Sequence, residues 1–242
     1  MNLWRILKKY NYFLFFLVLM SFLFVSVYMK QKELVSSEKT ALIINQLYNE
    51  NSEFNFLQKC NEILSESNYK TTVINGDNVT INLLKNINLQ QDVIIFRTHS
   101  GIFDNNTWFF TGEEYSNTKY VMEQLTGEIN IGKCPSYDYY VYSFSSKFIE
   151  HYWEFKDESK IILMGCESLP QKLSANSFHK QGGSTIIGWN GPITITETDE
   201  VSLEIIQAIT NDEDMNEVVN YINENIITSN NVMLLISNNS IT

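Results

Sequence analysis

Two reactive side chains stand where short apolar runs end. Asp92-Val93-Ile94-Ile95-Phe96-Arg97 leads into Thr98-His99-Ser100-Gly101. Ile161-Ile162-Leu163-Met164 leads into Gly165-Cys166-Glu167-Ser168. A histidine beside a cysteine promotes the thiolate and later protonates a leaving amine. Gly101 and Gly165 let backbone approach a substrate closely. Alone, a strand-end histidine is usually a polar cap and a cysteine usually a small buried apolar residue. Their placement at the ends of two consecutive core strands argues for joint use, because chemistry in open parallel sheets gathers at the C-terminal strand ends.

The other candidates carry less. His179 falls in an expected helix and reads as a surface residue. His151, beside Tyr152 and Trp153, reads as core or edge rather than as a ligand. Glu167 is a strand-end carboxylate that could face an imidazolium. Asp212-Glu213-Asp214 reads as a solvated loop capping the next helix. Cys60, Cys134 and Cys166 are too few for a disulfide framework; Cys60 with Cys134 is one possible pair. No spacing among them suits a metal, and no cofactor is implied. Asn-x-Ser/Thr sequons at Asn78, Asn105 and Asn238 fit an outside location, but a chain with 28 Asn makes them by chance.

The elements that must position His99 and Cys166 alternate. Lys39–Ile44 reads as a strand, followed by a helix capped by Asn51-Ser52 with Leu57, Cys60 and Leu64 on one face. Strands at Thr71–Ile74 and Asp92–Arg97 flank a short helix at Ile81–Ile87. This βαβαβ order predicts a parallel sheet covered on both faces. Thr107–Gly112 reads as an edge ribbon and Tyr139–Phe144 as a further strand. Beyond Ile161–Met164 come a helix at Gln171–Lys180, a strand at Ser184–Gly188, helices at Glu200–Ile209 and Asn216–Ile227, and a closing strand at Val232–Ile236. The expected class is α/β: a three-layer αβα sandwich around a mostly parallel sheet of about six strands.

Composition sets the outer limits. The 242 residues are 44% hydrophobic, enough for a real core. Tyr12–Met29 is interrupted only by Ser21 and Ser26. Its eighteen residues span roughly 27 Å, just enough for a bilayer core. Arg5, Lys8 and Lys9 precede it; Lys30 and Lys32 follow, so the charge bias favours an outside domain. We expect residues 1–30 to be a membrane anchor, with a cleaved signal as the alternative, although no small-x-small site is evident. Residues 31–39 read as a linker and 40–242 as the domain. The formal charge is −11, and −16 beyond residue 32, which excludes a phosphate-gripping basic face and hence nucleic acid as a partner.

The segments VIIFRTHSG and IILMGCES, in that order, resemble the signature of clan CD cysteine peptidases, the caspase, gingipain, clostripain, legumain and separase-like enzymes. LSANSFHKQGGSTIIGWNGPIT is similar to the gingipain-type pattern of a helix with a mid-helix Phe, a Gly-rich turn, a strand ending in Ile-Gly and an aromatic loop. The resemblance spans roughly residues 40–240. It implies a caspase-like fold, His99 as general base and acid, Cys166 as nucleophile, and a protein or peptide substrate. It also implies an oxyanion hole from the Cys166 amide and the amide after the histidine. Ser100 stands directly after His99 and Gly101 one later, so either can serve. Trp189 and Asn190 are the candidates for a substrate-pocket wall, with plain packing the alternative. The implied function is an extracytoplasmic, membrane-anchored cysteine endopeptidase; the alternative is a catalytically inactive caspase-like binding module on the cell surface. A class I amidotransferase-like enzyme is disfavoured, because that family places its histidine after the cysteine.

Overall fold

The computed structural model describes residues 20–21, 38–48, 50, 55–135, 137–169, 172–228 and 231–239. The chain divides into two units, Met1–Glu38 and Lys39–Thr242. Of the expected anchor only Met20 and Ser21 are described, both helical; the rest of it, and nearly all of the expected linker, lies outside the described residues. Among the described residues no helix is long and apolar enough to cross a membrane.

The second unit is built on a six-stranded sheet in the order β10-β9-β8-β3-β1-β2. Its strands are β1 (Lys39–Asn45), β2 (Tyr69–Asn75), β3 (Val93–Arg97), β8 (Lys160–Leu163), β9 (Thr185–Trp189) and β10 (Leu234–Asn238). All pairings are parallel except β9 with β10. The buried runs of β3 and β8 are continuous rather than alternating, as a sheet covered on both faces requires. The expected α/β class and mostly parallel sheet are therefore observed.

One face packs α1 (Phe56–Glu66), α6 (Ile195–Thr210) and α7 (Met215–Asn225) through Cys60, Leu64, Val201, Ile205 and Val219. The other packs α2 (Ile81–Asn86), α4 (Ser146–Tyr152) and α5 (Lys172–Lys180). There Trp153 stacks on Phe96 at 5.3 Å, and Phe178 meets Phe96 edge-on. Helix starts follow local chemistry. Thr80 Oγ1, Thr194 Oγ1 and Asp214 Oδ1 accept first-turn amides of α2, α6 and α7. The expected capping role of the acidic loop thus falls to Asp214. Helix α1 starts at Phe56, after a left-handed Asn55; the expected Asn51-Ser52 cap lies outside the described residues.

A second sheet, absent from the sequence reading, has the order β4-β5-β7-β6: β4 (Ser100–Phe103), β5 (Asn106–Glu114), β7 (Tyr140–Phe144) and β6 (Ile129–Lys133). Thr107–Gly112 is therefore interior to this sheet, not an edge ribbon, because Ser100–Phe103 folds back on it. The hairpin closes through Asp104 and Asn105, both at positive φ, the signature of a type I′ turn. The remaining helix, α3 (Val121–Thr126), leads into β6.

Candidate functional site

Strands β3 and β8 are neighbours, with Phe96 opposite Leu163. His99 and Cys166 each lie three residues beyond that pair. The strand ends approach closely: a Cβ on Gly165 would collide with Ser100 Oγ and lie 2.5 Å from Thr98 O. Ser100 Oγ donates to Cys166 O at 2.6 Å. The turn after β8 is stitched to its surroundings by Glu167 N to Gly191 O (3.0 Å), Leu169 N to Trp189 O (2.9 Å) and Thr107 Oγ1 to Glu167 O (3.3 Å). Glu167 itself is left-handed, φ 50°, and its carboxylate accepts the Ile102 amide at 3.3 Å.

The two side chains have different partners. Cys166 is half-buried, and its Sγ lies 3.4 Å from both the amide and the carbonyl of Ile193. The His99 ring is bonded by Glu50, Nε2 to Oε1 at 2.7 Å. Gln46 completes this cluster: its Oε1 accepts the His99 amide at 2.9 Å and its Nε2 donates to Cys134 Sγ at 3.4 Å. Burial of the imidazole works against its charge. The bond and charge of Cys134, then those of Glu50, outweigh that and raise His99 above its ordinary value.

Sequence reasoning missed Glu50, Gln46 and Cys134. The signal for the first two was the loop just past the C-terminal end of β1, the strand beside β3. Cys134, between β6 and β7, had none. All three cysteines are free thiols, and Cys60 and Cys134 belong to different core clusters, so the possible Cys60–Cys134 pair is not formed.

The hairpin separates the two oxyanion candidates. Phe110 N donates to His99 O at 2.9 Å, which makes His99/Phe110 a hydrogen-bonded pair. Antiparallel alternation then makes Ser100/Phe109 a non-bonded pair and Gly101/Trp108 a bonded one. The Gly101 amide points at β5. The Ser100 amide points away from it, along the edge where Ser100 Oγ meets Cys166 and Ile102 meets Glu167.

Trp189 is 1% exposed, and its Nε1 donates to Thr198 Oγ1 at 2.9 Å. Asn190 exchanges bonds with Met233, N to O at 3.1 Å and Oδ1 from N at 2.8 Å, prolonging the β9–β10 ladder. His151 is exposed on the last turn of α4, stacked on Tyr152 and bonded to Glu128 at 2.7 Å, rather than in the core. His179 is half-buried rather than on the surface. Nδ1 faces Gly183 O at 2.7 Å and so carries its proton; Nε2 meets Ser237 Oγ at 2.9 Å. Among the described residues no group of His, Cys, Asp and Glu could hold a metal ion.

Compared with known proteins, the chain matches no family model and no curated protein.

Proposed function

We propose that the chain is a cysteine endopeptidase of the caspase/gingipain type, anchored through residues 12–29 with its domain outside the cytoplasm. Cys166 is the nucleophile. His99, oriented by Glu50, is the general base and acid. The Ser100 amide, with that of Cys166, receives the oxyanion. The thiolate adds to the scissile carbonyl carbon and the carbonyl electrons move onto oxygen. As they return, the C–N bond breaks and the His99 proton passes to the leaving amine. Water deprotonated by His99 then hydrolyses the thioester, releasing the Cys166 thiolate. The observation that carries this reading is the adjacency of β3 and β8, which brings His99 and Cys166 off one sheet edge at the same register.

The alternative, an inactive binding module, draws on one observation: the imidazole is bonded to Glu50, while Cys166 Sγ is bonded to Ile193. The test is iodoacetamide labelling combined with hydrolysis of a broad peptide library. Cys166 should label faster than Cys60, whose buried thiol is pushed up to about 12. His99→Ala should slow that labelling. Cys166→Ala and His99→Ala should abolish hydrolysis to a similar extent, because members of a dyad act as a unit; His151→Ala and His179→Ala should spare it. Hydrolysis that survives Cys166→Ala refutes the peptidase. Slow Cys166 labelling with no hydrolysis favours the binding module.

A further inference from the structure

Helix α3 is inside out. Val121, Met122 and Leu125 are 46%, 69% and 77% exposed, while the polar residues between them face inward. Glu123 is paired with Lys85. Gln124 accepts from the Tyr115 hydroxyl at 2.8 Å and donates to Ser116 O and Lys119 O at 3.0 and 2.7 Å. These bonds fix the rotation of the helix, so its outward apolar side is built in; a surface helix normally shows the reverse pattern. The apolar surface continues onto the second sheet. Ile131 of β6 is exposed opposite Tyr142 of β7, and Tyr142 packs edge-on against Tyr120, the residue before α3. Next along that face, Tyr140 is exposed beneath Lys133 Nζ at 5.4 Å. Contiguous exposed apolar surface of this kind marks an interaction site.

The charge around this face runs against that of the chain, whose net charge is −11. A lysine stands at each end of the helix. Lys119, two residues before it, has a side chain 61% exposed, and Lys147 Nζ donates to Thr126 O in its last turn at 3.0 Å. The carboxylates beside the helix, Glu113, Glu123 and Glu128, are only 10%, 12% and 11% exposed, each held inward by a cation or imidazole. We propose that this face of α3 and β6 rests on a lipid bilayer, its apolar side chains entering the acyl boundary while Lys119 and Lys147 meet anionic headgroups. This rests on the reading of residues 12–29 as a membrane anchor. Nine residues, 30–38, separate that span from β1. Fully extended they reach about 30 Å, so the anchor holds a bilayer close to the domain at high effective concentration.

The test uses the full chain in liposomes of phosphatidylcholine and phosphatidylglycerol, with acyl chains brominated or plain. Leu125→Trp places a fluorophore on the face, and brominated chains quench only a ring that reaches them. Tyr221→Trp, at an exposed site on α7 against the other side of the six-stranded sheet, is the control. The signal of the four native Trp is subtracted with the wild-type chain. Leu125→Trp should lose most of its emission in brominated liposomes, and Tyr221→Trp almost none. Adding Lys119→Glu and Lys147→Glu, or leaving out phosphatidylglycerol, should restore much of what was lost. Should Leu125→Trp fail to fold, Met122→Trp repeats the measurement on the same face. A reporter as bright in brominated as in plain liposomes overturns the proposal. So does a dimer in detergent that Leu125→Glu turns into a monomer, since a second copy then occupies the face. Alkaline carbonate keeps the two readings apart: a chain that it strips from the liposomes refutes the anchor, while the quenching measured before the wash still decides the face.

Discussion

The Arg97–Asp199 pair ties the C-terminal end of β3 to the helix layer, and deleting its acid should be severe. Arg97 Nε and Nη2 donate to the two Asp199 carboxylate oxygens at 2.7 and 2.9 Å, while Nη1 donates to Asn45 Oδ1 and Leu47 O, both at 2.9 Å. The side chains are 4% and 0% exposed. Asp199→Ala strands a guanidinium in the core and should cost about 3–5 kcal/mol. With a urea slope of about 2 kcal/mol/M, the midpoint falls by about 2 M. Arg97→Met with Asp199→Leu removes both charges together and should recover most of that loss, because burying a pair repays little beyond its own desolvation. The double variant still frees the Leu47 carbonyl, and Glu50 N bonds that same carbonyl. Iodoacetamide should therefore label Cys166 more slowly in the restored protein, through the loosened Glu50–His99 contact. Urea unfolding of the two singles and the double completes the cycle. A cost below about 1 kcal/mol for Asp199→Ala, or a double variant as unstable as the sum of the singles, refutes the reasoning.

Two further outcomes follow from the geometry. Gly165→Ala should destabilise by about 1–3 kcal/mol and abolish fast Cys166 labelling, because the added methyl meets the Thr98 carbonyl, which belongs to the backbone and cannot rotate away; an alanine variant with wild-type melting and labelling contradicts the tight approach of β3 and β8. The raised His99 value has a defined sign: folded His99 binds its proton more tightly than the unfolded chain, so this stabilisation is complete below about pH 6.5 and is lost as pH rises through the folded value. Glu50→Gln should shrink that loss, seen as a flatter stability profile above about pH 6.5, and an unchanged profile would show that Glu50 does not hold the charge.

Much of the frame was legible in the residues themselves. Val93–Phe96 and Ile161–Leu163 are unbroken apolar β-formers, and only a sheet covered on both faces buries such runs. Their order and spacing implied neighbouring strands, and so a shared edge for His99 and Cys166. Helix periodicity likewise exposed Cys60 and Leu64 as an inward face, since i and i+4 share one side of a helix. These are local facts, carried by period and propensity.

What surrounds the histidine was decided by tertiary structure. Glu50 and Gln46 reach His99 across about fifty residues of chain, and Gln46 reaches Cys134 across 88. Neither spacing nor residue type marks Cys134, which in sequence is one more small apolar residue near a proline. The hairpin of β4 on β5 decided that the Ser100 amide, not that of Gly101, faces the Cys166 turn, and that choice follows from alternation set by pairing partners. Tertiary packing also left His151 exposed and set Trp189 in the core. A side chain's partners are fixed by which distant elements share its layer, and a local pattern holds no record of that.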